Sequence, residues 1–261
     1  MPTVQEIEQA IFQWAPKDLA QSWDNVGMLV GDCGKEVHRI LVALDITEAV
    51  VREAIAGGYD LIVSHHPVMN CAWQPVQTLR SDTLQGRILL DLIRGGVAAI
   101  CMHTNLDAAK GGVNDVLAGR LGLEHVEGLG DESGIGRMGT LPGPMSLADF
   151  LSLVRKRLRP NGIRFVPGGS TTIRRVAVGG GACGDFFPIA IGKGCDAFVT
   201  SDVKYNQFLD AQALGLALVD AGHFPTEDPV CPVLVQWLSE RYPNLTVIRS
   251  DSHRDVIQYY V

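Results

Sequence analysis

Two adjacent histidines, His65 and His66, stand where a buried strand is predicted to end. The apolar run 61–63 has the length and branched side chains of such a strand, and Pro67 then forces an extended exit. Ligands bind at the carboxyl ends of strands in open α/β sheets. Neighbouring residues face opposite sides of a regular strand, so both imidazoles serve one site only if the strand ends before them. The pair is metal-binding, or an ordinary surface pair, or one core histidine beside a solvated one, and the rest of the chain must distinguish these alternatives.

A second pattern, a histidine followed four residues later by an acid, occurs twice. His103 and Asp107 follow the predicted strand 97–102, and His223 and Glu227 follow the predicted strand 216–220. An acid at 227 would also suit the first turn of a helix, where the helix dipole favours negative charge. Its pairing with His223 favours the interpretation as a ligand.

These predicted strand ends supply imidazole and carboxylate donors and no thiolate. The candidate metal ligands are His65, His66, Asp107, His223 and Glu227, with His103 as a sixth ligand or as a residue that orients one. This donor set suits a borderline divalent ion such as Zn, Fe, Mn, Co or Ni. Five or six ligands are more than one metal ion needs if it keeps an open coordination position for water or substrate. We therefore expect two divalent ions per chain, roughly 3.5–4 Å apart, with a shared carboxylate and a metal-bridging water.

Predicted strands and helices alternate along the chain, which indicates an α/β fold with largely parallel sheets flanked by helices. Residues 68–86 are predicted to form a long polar loop that carries Trp73, and the glycine-rich stretch 126–146 a connector. Beyond the strands already named, we predict strands at 37–44, 172–178, 197–200, 245–248 and 256–261. Helices are predicted at 3–15, 47–56, 83–94, 112–121, 147–158, 204–214 and 229–241.

The chain also matches itself. Residues 37–67 align without a gap on 173–203 at an offset of 136, and 103–107 align on 223–227 at an offset of 120. We interpret this as a duplication that produced two similar α/β halves. The expected domains are a first half at 1–125, a connector with one helix at 126–170 and a second half at 171–261. Since ligand sites favour interfaces, we expect the metal site between the halves.

Composition narrows the class of protein. The 261 residues carry a net charge of −7 without a basic run, which argues against a nucleic-acid partner. We find neither a signal-peptide pattern nor an apolar run of membrane-spanning length, so no membrane association is expected. Six cysteines are scattered at 33, 71, 101, 183, 195 and 231 without a Cys-x-x-Cys pair. They indicate a reducing cytoplasm, with neither a disulfide framework nor a thiolate metal site.

One competing motif suggests a dinucleotide site. Gly179, Gly181 and Gly184 spell G-x-G-x-x-G after a predicted strand, with Asp202 further on. Pro188 and the glycine at 192 interrupt the long helix that should follow. The internal repeat also explains this segment as a strand and turn, so we expect no bound nicotinamide cofactor.

The motifs taken together resemble one family. They are WDNVGM at 23–28, SHHP at 64–67, HTNLD at 103–107, DAFVT at 196–200 and DAGHFPTE at 220–227. In this order they resemble the Nif-three-like family, whose members are often named GTP cyclohydrolase I type 2 homologues. The resemblance covers nearly the whole chain and fits the short form, which lacks an inserted middle domain. The glycine-rich stretch 179–185 and the Ser-Asp pair at 201–202 depart from the family pattern but leave the candidate ligands intact.

The resemblance implies a homohexameric toroid and two metal ions held by the five candidate ligands. It further implies a metal-dependent hydrolase that acts on a nucleotide or a related small molecule through a metal-bridging hydroxide. The alternative is a non-catalytic protein that binds or delivers metal or serves as a scaffold. No motif in the sequence indicates recognition of a guanine ring, so the sequence identifies neither the catalytic residues nor the substrate.

Overall fold

The computed structural model describes residues 1–69 and 75–260, and its contacts divide the chain into two compact units. The first unit comprises 1–109 and 231–254, and the second comprises 110–230 and 255–261. These boundaries differ from the predicted halves. They differ because Leu117 and Leu121 pack in the core of the second unit, whereas the strand after residue 245 pairs with the first sheet.

The first unit contains a five-stranded sheet in the order β1-β4-β3-β2-β11. Its elements in chain order are α1 (Val4–Trp14), a 3₁₀ turn (Lys17–Leu19), β1 (Gly27–Val30), β2 (Arg39–Ala43), α2 (Glu48–Ala56), β3 (Leu61–Ser64), α3 (Leu84–Gly95), β4 (Ala98–Cys101), α4 (Thr104–Ala108), α10 (Val230–Arg241) and β11 (Thr246–Arg249). Strands β4, β3, β2 and β11 are parallel, and β1 is antiparallel at one edge. This sheet is largely parallel, as predicted.

The second unit contains a six-stranded sheet in the order β5-β6-β8-β9-β10-β7. Its elements are α5 (Val113–Arg120), β5 (Glu124–Gly128), β6 (Arg137–Met145), α6 (Leu147–Leu158), β7 (Arg164–Val166), β8 (Ile173–Val178), a 3₁₀ turn (Gly184–Phe186), α7 (Phe187–Gly192), β9 (Ala197–Thr200), α8 (Tyr205–Ala213), β10 (Ala217–Asp220) and α9 (His223–Glu227). Only β8, β9 and β10 are parallel, and three further pairings are antiparallel. The prediction of a largely parallel sheet is therefore wrong for this unit.

The stretch predicted as a connector contributes two strands to the second sheet. β5 pairs with β6, and β6 pairs with β8, both antiparallel. Glycines and prolines in β6, such as Gly139 and Pro142, obscure the alternation of apolar and polar residues that marks a strand. Gly139 has a physical role, because a Cβ there would meet the Glu124 carbonyl oxygen at 2.8 Å. Close approach of the two strands, rather than chain flexibility, explains this glycine.

Helix ends follow the local sequence signals. Thr3 caps α1 and forms a capping box with Glu6. The side chains of Thr47, Thr83 and Ser146 cap α2, α3 and α6, each by accepting the backbone N–H three residues further on. These helices lie within two residues of the predictions. Within 1–69 and 75–260, no helix is long and apolar enough to cross a membrane.

Three local predictions need correction or fall outside the described chain. Residues 256–260 form no strand, since the chain there runs along 161–162, where Asn161 donates to the Ile257 carbonyl oxygen. The short helices α4 and α9 were missed because each spans a single turn, too short for a periodic pattern. Trp73 and the cysteine at 71, within the predicted polar loop, lie outside the described residues.

The two sheets contain one parallel motif with the same internal register. In the first unit Ile40 lies opposite Leu61, and in the second Val176 lies opposite Ala197, which are the pairs that the offset of 136 relates. On the other side of the central strand, Leu61 lies opposite Ala98 in the first unit. In the same way, Ala197 lies opposite Ala217 in the second unit. The three strands β2, β3 and β4 therefore correspond in order, direction and register to β8, β9 and β10.

A carboxylate makes the same contacts in both motifs. Asp60 accepts hydrogen bonds from the backbone N–H groups of His38 and Arg39 at 2.9 and 3.1 Å. Asp196 accepts from the backbone N–H groups of Arg174 and Arg175 at 2.9 Å each. The offset of 136 relates each donor as well as each acceptor. Both acids thereby fix the start of one strand against the loop that enters the next.

Candidate metal centre

Three imidazoles cluster at the carboxyl ends of β3 and β4 in the first unit. β3 ends at Ser64, so His65 and His66 lie in the following turn rather than in the strand. The ring centroids of His65 and His66 lie 4.9 Å apart. The ring centroid of His103 lies 5.2 Å from that of His65 and 5.5 Å from that of His66. One ligand atom of each imidazole lies within 4.8 Å of the others. The predicted pair therefore belongs to one group with His103.

Each of these imidazoles is held through its Nδ1 atom. The acceptors are the Met102 carbonyl oxygen for His65 at 2.8 Å, Asp45 for His66 at 2.7 Å, and Asp24 for His103 at 2.9 Å. A carbonyl or carboxylate oxygen accepts the proton of Nδ1, and this leaves the lone pair of a neutral ring on Nε2. Protein metal sites orient their histidine ligands in this way.

Asp107 reaches the same group because α4 is a single helical turn. Its backbone N–H donates to the His103 carbonyl oxygen at 3.0 Å, which places the two side chains four residues apart on one helical face. The Asp107 Oδ1 atom lies 3.6 Å from His65 Nε2, and the carboxyl group is 6% exposed. The first unit thus brings together three imidazoles and one buried carboxylate.

The second unit brings together His223 and Glu227 on α9. The His223 Nε2 atom lies 3.0 Å from Glu227 Oε2, and Nδ1 of the same ring is held by Asp202. Burial lowers the pKa of His223, but the charges and hydrogen bonds of Glu227 and Asp202 outweigh it and raise the pKa to about 11. The two carboxylates therefore create a site that favours a positive charge at the imidazole.

The glycine-rich stretch of the second unit shapes the space around Glu227. A Cβ at Gly181, which has φ +65°, would lie 2.0 Å from the Glu227 Oε1 atom and 3.3 Å from the His223 ring. The Gly181 N–H donates to Thr226 Oγ1 at 3.1 Å, and the Gly180 N–H donates to Asn114 Oδ1 at 2.7 Å. Gly181 thus reflects close packing of this turn against α9, whereas a Cβ at Gly184 would meet Gln207 of α8. The helix that follows, α7, has six residues.

Three carboxylates that orient the imidazoles were missed as functional residues. Asp24 accepts the Asn25 backbone N–H at 2.8 Å, as a turn residue does, but its carboxylate also holds His103 and Thr104. Asp45 and Asp202 lie at the carboxyl ends of β2 and β9. For Asp45 and Asp202 the available signal was an acid just beyond a predicted strand, at the same sheet edge as a histidine.

The electrostatics agree with this orienting role. Burial opposes ionisation of Asp24, but the hydrogen bond and charge of His103, with hydrogen bonds from Thr104, lower its pKa to about 2. Burial likewise opposes ionisation of Asp45, and hydrogen bonds from two histidines lower its pKa below the usual range. The hydrogen bond from His223 is the main cause that lowers the pKa of Asp202. All three acids are carboxylates at neutral pH and accept the imidazole proton.

Comparisons with known proteins agree with one another over almost the whole chain. The sequence profile described as Duf34/NIF3 (NGG1p interacting factor 3) matches residues 2–255. A protein of Streptomyces coelicolor named GTP cyclohydrolase 1 type 2 homolog is 36% identical over 250 residues, which are 92% of this chain and 87% of that protein. A protein of Clostridium perfringens with the same name is 35% identical over 232 residues, 87% of each chain.

Solved structures resemble this fold equally broadly. A hypothetical protein of Staphylococcus aureus superposes with a TM-score of 0.90 at 30% identity and covers 99% of both chains. A Bacillus cereus protein related to NIF3 superposes with a TM-score of 0.89 at 26% identity, covering 100% of this chain and 99% of that one. The mixed α/β fold with two sheets is therefore shared by these proteins.

Proposed function

This chain belongs to the Duf34/NIF3 family, and from this premise we propose that it binds two divalent metal ions and uses them as a hydrolase. The observation that carries the proposal is the common orientation of the imidazoles, each held at Nδ1 by an oxygen acceptor. Any buried imidazole needs a hydrogen-bond partner, but an oxygen acceptor at Nδ1 in each ring also fixes the one tautomer that a metal ligand requires.

The donor chemistry fits a pair of borderline divalent ions. The two groups contain four imidazoles and two carboxylates, and the described thiols take no part in them. The raised pKa of His223 supports the fit, since the same carboxylates that favour a proton there would favour a metal cation. The glycines at 180 and 181 add a second support, because a Cβ at either position would crowd the Glu227 side chain.

We further propose that the two groups bind the ions together. The support is a count of donors. His223 and Glu227 are two ligands, fewer than the three protein ligands of a typical catalytic zinc site, so they need donors from elsewhere. The first group has four donors, more than one ion with an open position requires. Assigning five or six donors to two ions resolves both mismatches.

The matching registers of the two sheets support a duplication as the origin of this arrangement. A gene duplication would produce two strand-end groups from one ancestral group, and the ligand types could then diverge. Asp60 and Asp196 are related by the same offset as the strands, and they accept hydrogen bonds from equivalent backbone N–H groups. This correspondence favours common descent over chance.

The reaction we propose is hydrolysis of a nucleotide or a related small molecule. The support for this substrate class is the name GTP cyclohydrolase 1 type 2 homolog, which two relatives carry. That name describes those proteins and comes to this chain only as a proposal. When bound, a pair of divalent ions supplies a Lewis acid and lowers the pKa of coordinated water. The chain's own contribution is to hold the imidazoles in one tautomer and to place Asp107 and Glu227 as buried anionic donors. The active assembly we propose is a homohexamer, which light scattering coupled to gel filtration would test.

The decisive experiment relates metal occupancy to turnover. Protein reconstituted in turn with Zn, Fe, Mn, Co and Ni should bind about two ions per chain by elemental analysis. A panel of nucleotides that includes GTP should then reveal a hydrolysis whose rate follows occupancy. His65→Ala should abolish turnover and remove at least one ion, and His38→Ala, which replaces an exposed histidine of the same unit, is the matched control.

The outcomes separate the two parts of the proposal. One ion or none per chain after every reconstitution would contradict the dinuclear site. Two ions without turnover on any substrate, together with ready transfer of metal to an apo acceptor, would contradict the hydrolase and favour a protein that binds or delivers metal.

A further inference from the structure

A histidine near the end of the chain contacts a carboxylate of the candidate metal centre. His253 is 9% exposed, and its Nε2 atom lies 2.9 Å from Asp45 Oδ2. The other oxygen of the same carboxylate accepts the proton of His66 Nδ1 at 2.7 Å. Asp45 therefore bridges two imidazoles, of which one is a candidate ligand and the other is not.

Sheet topology explains how a residue so late in the chain reaches this place. β11 is parallel to β2, with Thr246 opposite Arg39 and Arg249 opposite Val42. Parallel strands end at the same edge of a sheet, so the residues after β11 emerge beside those after β2. Ser250 continues the pairing, as its N–H donates to the Val42 carbonyl oxygen at 2.8 Å. His253 is thereby brought to the carboxyl end of β2, where Asp45 lies.

The C-terminal segment, residues 250–254, is anchored independently of Asp45. Glu53 on α2 accepts from the Ser250 hydroxyl at 2.5 Å and from the backbone N–H groups of Asp251 and Ser252 at 3.0 Å each. These three hydrogen bonds hold the backbone that carries His253. The segment therefore has contacts with α2 that do not involve the His253 imidazole.

We propose that His253 is a positioning residue for the metal centre, acting on His66 through Asp45. The inference rests on the proposed metal binding and adds a residue of the C-terminal segment to it. Asp45 makes one contact with each imidazole, and losing the contact with His253 would let the carboxylate rotate away from His66 Nδ1. The ring of His66 would then lose its fixed orientation, and the affinity for the ion it binds would fall.

The test measures Co²⁺ alone, because its absorption spectrum reports ligand geometry without requiring a substrate. His253→Ala should weaken Co²⁺ binding on the order of 10-fold and shift the visible spectrum, as expected for loss of a group that orients a ligand. His253→Gln should restore most of the affinity and the spectrum, since the Gln amide N–H can replace the imidazole Nε2–H. The matched control is His38→Ala, whose histidine also faces an acid, Asp60, and should bind Co²⁺ as wild type does.

A double-mutant cycle distinguishes positioning from general destabilisation. In an Asp45→Ala background, His253→Ala should have little further effect on Co²⁺ affinity, because the path to His66 is already broken. Additive losses would overturn the inference, as would a His253→Ala variant with wild-type affinity and spectrum. So would equal losses in His253→Gln and His253→Ala accompanied by equal falls in the melting temperature of the metal-free protein. If wild type itself binds no Co²⁺, the proposed function fails and the inference fails with it.

Discussion

The strand-end groups of the two units place candidate ligands and the acids that contact them at different positions of the same motif. In the first unit Asp45, after β2, holds His66, after β3. The offset of 136 replaces Asp45 by Gly181 and His66 by Asp202, and Asp202 holds His223, after β10. What stays constant is an imidazole with a carboxylate from the neighbouring strand. The comparison teaches that the pairing, rather than the residue type at any one position, is the unit preserved by this arrangement.

The largest effect is expected from the acid of the first group. Asp107→Ala should remove both ions, because a carboxylate has two oxygens and can bridge two ions, whereas an imidazole donates one nitrogen to one ion. His103→Ala should remove at most one. Elemental analysis of both variants checks this order, with Asp91→Ala, an exposed acid on α3, as the control. Equal losses in the first two variants would make His103 a ligand of the same rank as Asp107.

The next effect tests whether the second group shares the site of the first. Glu227→Gln keeps the shape of the side chain and removes its charge, so we expect it to lose metal and the stability that metal binding adds. That stability is about 4 kcal/mol when the free metal is at 1,000 times its dissociation constant. Melting curves with and without chelator measure it. A variant that holds two ions and melts like wild type in both conditions would show that Glu227 is only an acid at a helix start.

Substitutions at two glycines distinguish backbone strain from displacement of Glu227 in the second group. Gly181 and Gly194 both have positive φ, at +65° and +69°, but among the described residues a Cβ meets Glu227 only at the first of them. Gly194→Ala should destabilise the protein by about 1 kcal/mol and leave metal affinity unchanged. Gly181→Ala should destabilise it further and weaken metal binding by displacing Glu227. Equal metal affinities in the two variants would contradict the close packing of the glycine-rich turn against α9.

The smallest effect tests the correspondence of the two motifs. Asp60→Ala and Asp196→Ala each remove an acceptor of two backbone N–H groups, and each should lower the free energy of unfolding by about 1–2 kcal/mol in urea titrations. Metal content should not change in either variant. A large loss in one variant and none in the other would argue against equivalent roles.

The contribution of Asp60 should also depend on pH. Burial raises its pKa, but hydrogen bonds from the His38 and Arg39 backbone and from Lys35 outweigh this and lower the pKa from 3.8. A depressed carboxyl pKa stabilises the folded state above the unfolded value, and this stability is lost as the pH falls through the folded pKa. The difference in unfolding free energy between wild type and Asp60→Ala should therefore shrink below about pH 4.

Much of the fold and most of the candidate ligands were predictable from local sequence. Capping residues such as Thr3 and Ser146 mark helix starts through hydrogen bonds to residues three positions away. The runs at 61–63 and 216–220 are strands because branched apolar side chains favour a buried sheet. The antiparallel strands β5 and β6 escaped prediction because glycine and proline interrupt their pattern, and only neighbouring strands compensate for those residues.

The sequence by itself determined which side chains could bind metal and that they follow strands, because donor chemistry and strand length are local properties. Only the tertiary structure decided which acids orient the imidazoles. Asp24 lies 79 residues from His103, and His253 reaches Asp45 only because β11 pairs in parallel with β2. Such partners are joined by strand order, which depends on the packing of the whole sheet and leaves no pattern in the residues between them.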